Sequence, residues 1–280
     1  MPQTNTASAF FTLLQDMHTK PKRILVEGDS WVSHPLLANI TAQFDQFGKG
    51  NFAILNLAQP GDTAGCMLSK EGRQFKELSG LIFNEQFGYK WNFIFISAAG
   101  NDIVGKDLEK EGMLLDKREH PNLQGHQLIG QTFRDTITSV AGDYQNLIDF
   151  RNNSEANAET PIITHAYSYL IPRMVGTKVF GASLGDGWVQ RYLKPKGIVD
   201  PEEQKDVVRG MLDTYYEAMI SLQNNNRNFL IVDTRLTLSL TATQPKLAWW
   251  HDEIHPNYTG FKKVAEAIRE KMREVDFWPK

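Results

Sequence analysis

Two kinds of hydrophobic pattern alternate along the chain. Residues 23–27, 52–57, 91–98, 162–166 and 229–233 are short, nearly continuous apolar runs, the signature of strands buried on both faces. Before, between and after them lie stripes at helical spacing. Phe10, Phe11, Leu14 and Met17 predict a first helix that ends before Pro21, and a second helix is expected to begin near Pro35, where a first-turn proline is tolerated. A helical stretch is expected over much of 65–87. Phe133, Ile137, Val140, Tyr144 and Leu147 mark one further helix, and Phe261, Val264, Ala265, Ile268 and Met272 mark the last. Asp200-Pro201-Glu202-Glu203 supplies an N-cap, a first-turn proline and an acid three residues on, opening a helix with Val208, Met211, Tyr215, Met219 and Leu222 on one face.

Five alternations of strand and helix predict an α/β fold with a parallel sheet covered on both faces. Such sheets bind ligands at the carboxyl ends of their strands. No internal repeat or long flexible linker divides the chain, so residues 1–280 are expected to form a single domain. Two stretches depart from the alternation. Residues 103–126 mix charge, glycine and proline and read as a surface excursion. Residues 167–200 are rich in glycine, proline, aromatic and basic residues and read as an insertion, with a lid as its functional version.

Composition narrows the class of protein. At 41% hydrophobic and 22% charged residues the chain has ordinary globular usage, which excludes a disordered or fibrous protein. The net charge of −3 lacks the basic footprint of general nucleic-acid binding. One cysteine, Cys66, allows neither an intrachain disulfide nor a thiolate zinc site, and it reads as a small packing residue. Residues 1–20 lack the pattern of a secretory signal, and no run is long enough to span a bilayer, so a cytoplasmic location is expected, with export lacking a cleaved signal as the alternative.

The polar breaks after the strands carry the chemistry. Ser30, in Gly28-Asp29-Ser30-Trp31, follows the first strand; Gly61 follows the second and Asn101 the third. Asp252 and His255 lie between the fifth strand and the final helix. Taken singly, each has a bland reading: a capping serine, a turn glycine, a loop Asn-Asp pair, a loop histidine. A parallel sheet brings all of them to one edge. There Ser30 is expected to be a nucleophile, His255 its general base, and Asp252 the carboxylate that orients the imidazole. A metal reading of His251 and His255, four residues apart, is opposed by the position of Glu253, which does not match His-Glu-x-x-His, and by Pro256, which disfavours helical backbone at His255. No metal or cofactor is expected.

The blocks Gly28-Asp29-Ser30, Gly61-Asp62-Thr63, Gly100-Asn101-Asp102 and Asp252-Glu253-Ile254-His255-Pro256-Asn257, in this order, resemble those of the SGNH hydrolase superfamily, the GDSL esterase/lipase family. The resemblance implies a flavodoxin-like three-layer sandwich with a five-stranded parallel sheet, and a serine hydrolase acting on esters, thioesters or acetylated sugars. It also implies an oxyanion hole formed by the backbone N–H groups of Ser30 and Gly61 and the side-chain amide of Asn101. Three positions depart from the family pattern: Trp31 follows the serine in place of a small aliphatic, Ala58 precedes the second block, and Ala99 stands where the third usually opens on glycine.

The expected activity is hydrolysis of a small-molecule, lipid or glycan ester through an acyl-enzyme. A binding module that keeps the fold without strong catalysis, and an acyltransferase using the same residues, are the alternatives. Trp31, Trp188 and Trp250 are candidates for substrate contact. Arg173, Lys178, Arg191, Lys194 and Lys196 against Asp186 give residues 167–200 a positive excess suited to an anionic substrate or to peripheral contact with membrane headgroups.

Overall fold

The structure, a computed structural model, describes residues 3–17, 20–34, 39–83, 90–179, 182–184, 187–238 and 248–280. The expected helix start at Pro35, the end of the 65–87 stretch, and Phe180 and Asp186 of the insertion lie outside the described residues.

In chain order the elements are β1 (Gln3–Thr4), α1 (Ala7–Asp16), β2 (Lys22–Gly28), α2 (Ser30–Ser33), α3 (Ile40–Gly48), β3 (Phe52–Asn56), α4 (Ala64–Leu68), α5 (Phe75–Phe83), β4 (Phe93–Ser97) and α6 (Gly100–Ile103). There follow α7 (Gln131–Asn152), β5 (Ile162–His165), β6 (Thr177–Val179), β7 (Ala182–Leu184), α8 (Gln190–Leu193), α9 (Pro201–Asn225), β8 (Phe229–Val232) and α10 (Tyr258–Glu274).

The main sheet has the order β1-β3-β2-β4-β5-β8, and all its pairings are parallel. Five of these strands are the expected ones. The sixth, β1, is a polar two-residue edge pairing Gln3 with Ile54 and Thr4 with Leu55, too short to show any hydrophobic period. The expected 65–87 helix is interrupted: α4 ends at Leu68 and α5 begins at Phe75, with Ser69-Lys70-Glu71-Gly72 between them.

Strands β3, β4, β5 and β8 are buried at every position, as their continuous apolar runs require of a sheet covered on both faces. Helices α3 and α10 pack together, as do α4 with α7, α5 with α7, and α7 with α9. The acid-rich start of α9 forms as expected, with Asp200 Oδ1 accepting the N–H groups of Glu202 and Glu203.

The order of strands positions the site. After the edge strand β1, the chain lays down β2 at the centre, adds β3 on one side, then crosses β2 to add β4 on the other. That reversal opens a crevice between the carboxyl ends of β2 and β4, the usual ligand position in doubly wound sheets. Ser30 follows one of these strands and Asn101 the other.

Candidate active site

Ser30 is the first residue of α2, and Asp29 is its N-cap, accepting Trp31 N–H on Oδ1 at 2.9 Å. The preceding glycine is dictated by packing. A Cβ on Gly28 would stand 2.6 Å from the Ser97 carbonyl oxygen and 2.8 Å from Val32 Cγ2. The close approach of β2 to β4 thus sets where α2, and with it Ser30, begins.

The opposite wall is the loop before α10. Asp252 Oδ1 accepts the backbone N–H groups of Ile254 at 3.0 Å and His255 at 2.7 Å, folding the loop onto its own carboxylate. Asn257 then caps α10 by accepting Gly260 N–H and ties the loop back by donating to the Ala248 carbonyl. This brings His255 across 225 residues of sequence to Ser30, with Nε2 2.7 Å from Oγ. His255 Nδ1 lies 2.9 Å from Asp252 Oδ2.

The tautomer follows from the donors. Burial alone would raise the Asp252 carboxyl, but its hydrogen bonds from His255 and Ile254 and the charge of His255 hold it below its ordinary value. An ionised carboxylate only accepts, so Nδ1 carries a proton, and in the neutral imidazole Nε2 is the acceptor. Ser30 O–H therefore donates to His255. Asp252 is fully buried, while Ser30 and His255 keep 9% and 5% exposure, enough for a reacting atom to approach.

Asn101 donates one amide hydrogen to the Asp62 carbonyl at 2.8 Å. This links the β4 loop to the β3 loop, and Asn101 lines the cavity beside Ser30. Among the described residues the N–H groups of Ser30 and Gly61 donate to no protein acceptor. Asp102 steadies the same loop by accepting Ala64 N–H at the start of α4, and burial pushes its carboxyl up to about 6. Ala99, where glycine is usual, takes φ of +100°, a conformation costly for a residue with a Cβ.

Beneath Ser30 lies a polar network that sequence reasoning missed. Tyr167 N–H donates to His165 Nδ1, leaving Nε2–H to face Ser97 Oγ at 2.9 Å; Ser97 O–H donates to Asp29 Oδ1 at 3.0 Å. Tyr167 O–H donates to Asp29 Oδ2 at 2.7 Å and accepts Gly100 N–H. Burial pushes the Asp29 carboxyl up, and the hydrogen bonds from Tyr167, Trp31 and Ser97 oppose that. Burial also holds the His165 imidazole down at about 3, so it is neutral. The network clamps the Ser30 turn to the ends of β4 and β5. His34 is a further neighbour, its ring 4.8 Å from that of His255, with burial and the His255 charge lowering it to about 4.

The three tryptophans fall in different places. Trp31 is buried in an aromatic group with Tyr167, His165, Phe261 and Trp250, and it also lines a cavity of about 30 Å³ beside Ser30. That cavity is otherwise walled mainly by Ile103, Val104, Leu170, Leu212 and Tyr167, with Asn101 at its rim. Trp188 sets its ring 5.4 Å from His255 at 88°. Trp250 is buried behind Trp31 and bridges to Pro256, away from the cavity lining. Arg173 donates to the Asp252 carbonyl, so one cation of the basic segment is spent on the loop that carries Asp252 and His255. Lys178 lies where side chains are outside the described residues. Cys66 is half-buried.

Comparison with protein-family profiles and with curated proteins finds no match. Solved structures do match in fold. One described as a platelet activating factor from Streptococcus pneumoniae is 13% identical, with 95% of this chain and 90% of that chain covered and a TM-score of 0.52. A gut microbial diltiazem-metabolizing enzyme is 12% identical over 92% of this chain and 48% of its own, with a TM-score of 0.50. A structure described as an SGNH hydrolase from Slackia heliotrinireducens is 13% identical over 90% and 99% of the two chains, with a TM-score of 0.48. The chain has the α/β fold, a parallel sheet between helices, that the resemblance to SGNH hydrolases implies, with six strands in place of five. Among the described residues no helix is long and apolar enough to cross a membrane.

Proposed function

We propose that the protein is a serine hydrolase of carboxylic esters, acting through an acyl-enzyme on Ser30. The observation that carries this reading is the continuous line from Ser30 Oγ to His255 Nε2, and from Nδ1 to the buried Asp252 carboxylate.

Ser30 Oγ attacks the ester carbonyl carbon as its proton passes to His255 Nε2, and Asp252 stabilises the imidazolium. The carbonyl oxygen becomes an oxyanion, met by the N–H groups of Ser30 and Gly61 and the amide of Asn101. Collapse breaks the bond to the alcohol, which leaves with the proton from His255. Water then attacks the acyl-serine, His255 takes and returns a proton in the same way, and the carboxylic acid departs. The small, apolar-walled cavity beside Ser30 favours a short acyl group.

Hydrolysis of an aryl acetate tests the reading. The native chain is expected to turn over, while Ser30→Ala and His255→Ala each lose on the order of 10⁴-fold or more in kcat. Turnover that survives Ser30→Ala would overturn it.

A further inference from the structure

Between Asp252 and His255 stands a second acid, Glu253, with no part in the proton relay. Its side chain is turned away from the reacting atoms and is 1% exposed. It is also fully used. Oε1 accepts the backbone N–H groups of Arg173 at 2.8 Å and Gln190 at 2.9 Å, and Oε2 accepts those of Val189 at 2.8 Å and Trp188. Four donors on one carboxylate come from two separated parts of the segment between β5 and α9.

The fit is close on every side. Gly187, at φ +84°, has no room for a side chain, since a Cβ there would stand 2.4 Å from Glu253 Oε2 and 2.8 Å from the Arg173 carbonyl oxygen. The backbone of Glu253 joins in, its N–H donating to the Val175 carbonyl at 3.2 Å. The held segment carries Trp188, whose ring lies against the His255 imidazole. The Trp188 carbonyl accepts Gly105 N–H at 2.9 Å, so this residue is tied to the β4 side of the crevice as well.

We propose that Glu253 is a positioning residue that fastens Arg173 and residues 188–190 onto the triad loop and thereby holds Trp188 beside His255 as the wall facing the leaving alcohol. The second half rests on the ester-hydrolase reading; the fastening does not. His255 delivers its proton to the alcohol, so a ring packed on His255 borders the space that group must use. Hydrogen bonds from neutral donors to a buried carboxylate are among the stronger ones.

Glu253→Gln tests both halves, because it replaces one oxygen by a donor and sets an NH₂ against one pair of backbone N–H groups. Glu253→Asp keeps the charge with a shorter reach and serves where the glutamine variant fails to fold. Hydrogen–deuterium exchange read by mass spectrometry is expected to show the amides of Arg173 and residues 188–190 exchanging about 10- to 100-fold faster in Glu253→Gln than in the native chain, with Glu253→Asp between them. Unchanged exchange in both variants would overturn the fastening, whether or not the protein hydrolyses esters.

For the wall, KM and kcat are compared for phenyl acetate and the bulkier 1-naphthyl acetate. Glu253→Gln and Trp188→Ala are each expected to change the ratio of the two KM values by about 5- to 10-fold. The double variant should go no further than either alone, as for two residues acting through one element. A uniform fall in kcat with that ratio unchanged, or additive effects, would overturn the role of Trp188.

Discussion

Ser30, His255 and Asp252 form one line of contacts because each is placed by a different local device: a glycine squeezed between strands, an acid folded under its own loop, and an asparagine capping the following helix. In the proposed mechanism Asn101 has two tasks, since the residue that would meet the oxyanion also pins the Asp62 carbonyl. Replacing it with alanine is expected to lower kcat by about 10²- to 10³-fold, the usual cost of one oxyanion donor, with a smaller change in KM. Steady-state kinetics on an aryl acetate checks this, and an unchanged kcat would remove Asn101 from the oxyanion hole. These residues were readable in the sequence because they sit in short blocks at strand ends. Tyr167, His165 and Ser97 were not, because their contacts to Asp29 and to each other are made only in three dimensions; Tyr167 lies 138 residues from Asp29. The part played by Glu253 is hidden in the sequence for the same reason: its four backbone donors stand 63 to 80 residues earlier in the chain.

At the scale of elements, β2 holds an acid at the end of its apolar run. Glu27 is fully buried; Oε1 accepts Gly28 N–H at 2.9 Å, and Oε2 has no partner among the described residues. Burial raises its carboxyl to about 8 from an ordinary 4.5, with Asp62 and Glu77 adding to the rise and Gly28 N–H and Arg73 opposing it. The folded chain therefore keeps a proton that the unfolded chain releases between these values, so this group's contribution to stability falls as pH rises from about 4.5 to 8. Glu27→Gln preserves the neutral shape and removes that proton linkage. The variant is expected to match the native chain in thermal unfolding near pH 5 and to exceed it at pH 8 by on the order of 3 kcal/mol. Parallel pH profiles for the two proteins would contradict the burial argument. The apolar runs flagged β2, β3, β4, β5 and β8 because burial on both faces writes itself into consecutive residues. The edge pair Gln3–Thr4 has no such burial to betray it, and the break between α4 and α5 depends on a turn that helical spacing alone does not register.

For the whole molecule, strand order turns separate residues into a site. The reversal between β2 and β4 opens the crevice, the loop before α10 closes one side with His255, and Arg173 and Gln190 bind that loop through Glu253. The alternation of runs and stripes foretold the layers and the shared edge. It could not foretell which aromatics of the 167–200 segment would reach that edge: Trp188 meets His255, Tyr167 passes beneath to Asp29, and Tyr192 goes into the core. In the proposed mechanism Ser30 is a nucleophile activated by His255. Labelling with a fluorophosphonate probe followed by intact-mass measurement addresses it most directly. The native chain is expected to gain one adduct, mapped to Ser30 and absent from a folded Ser30→Ala variant; a native chain that stays unlabelled, or equal labelling of the two proteins, would contradict the account.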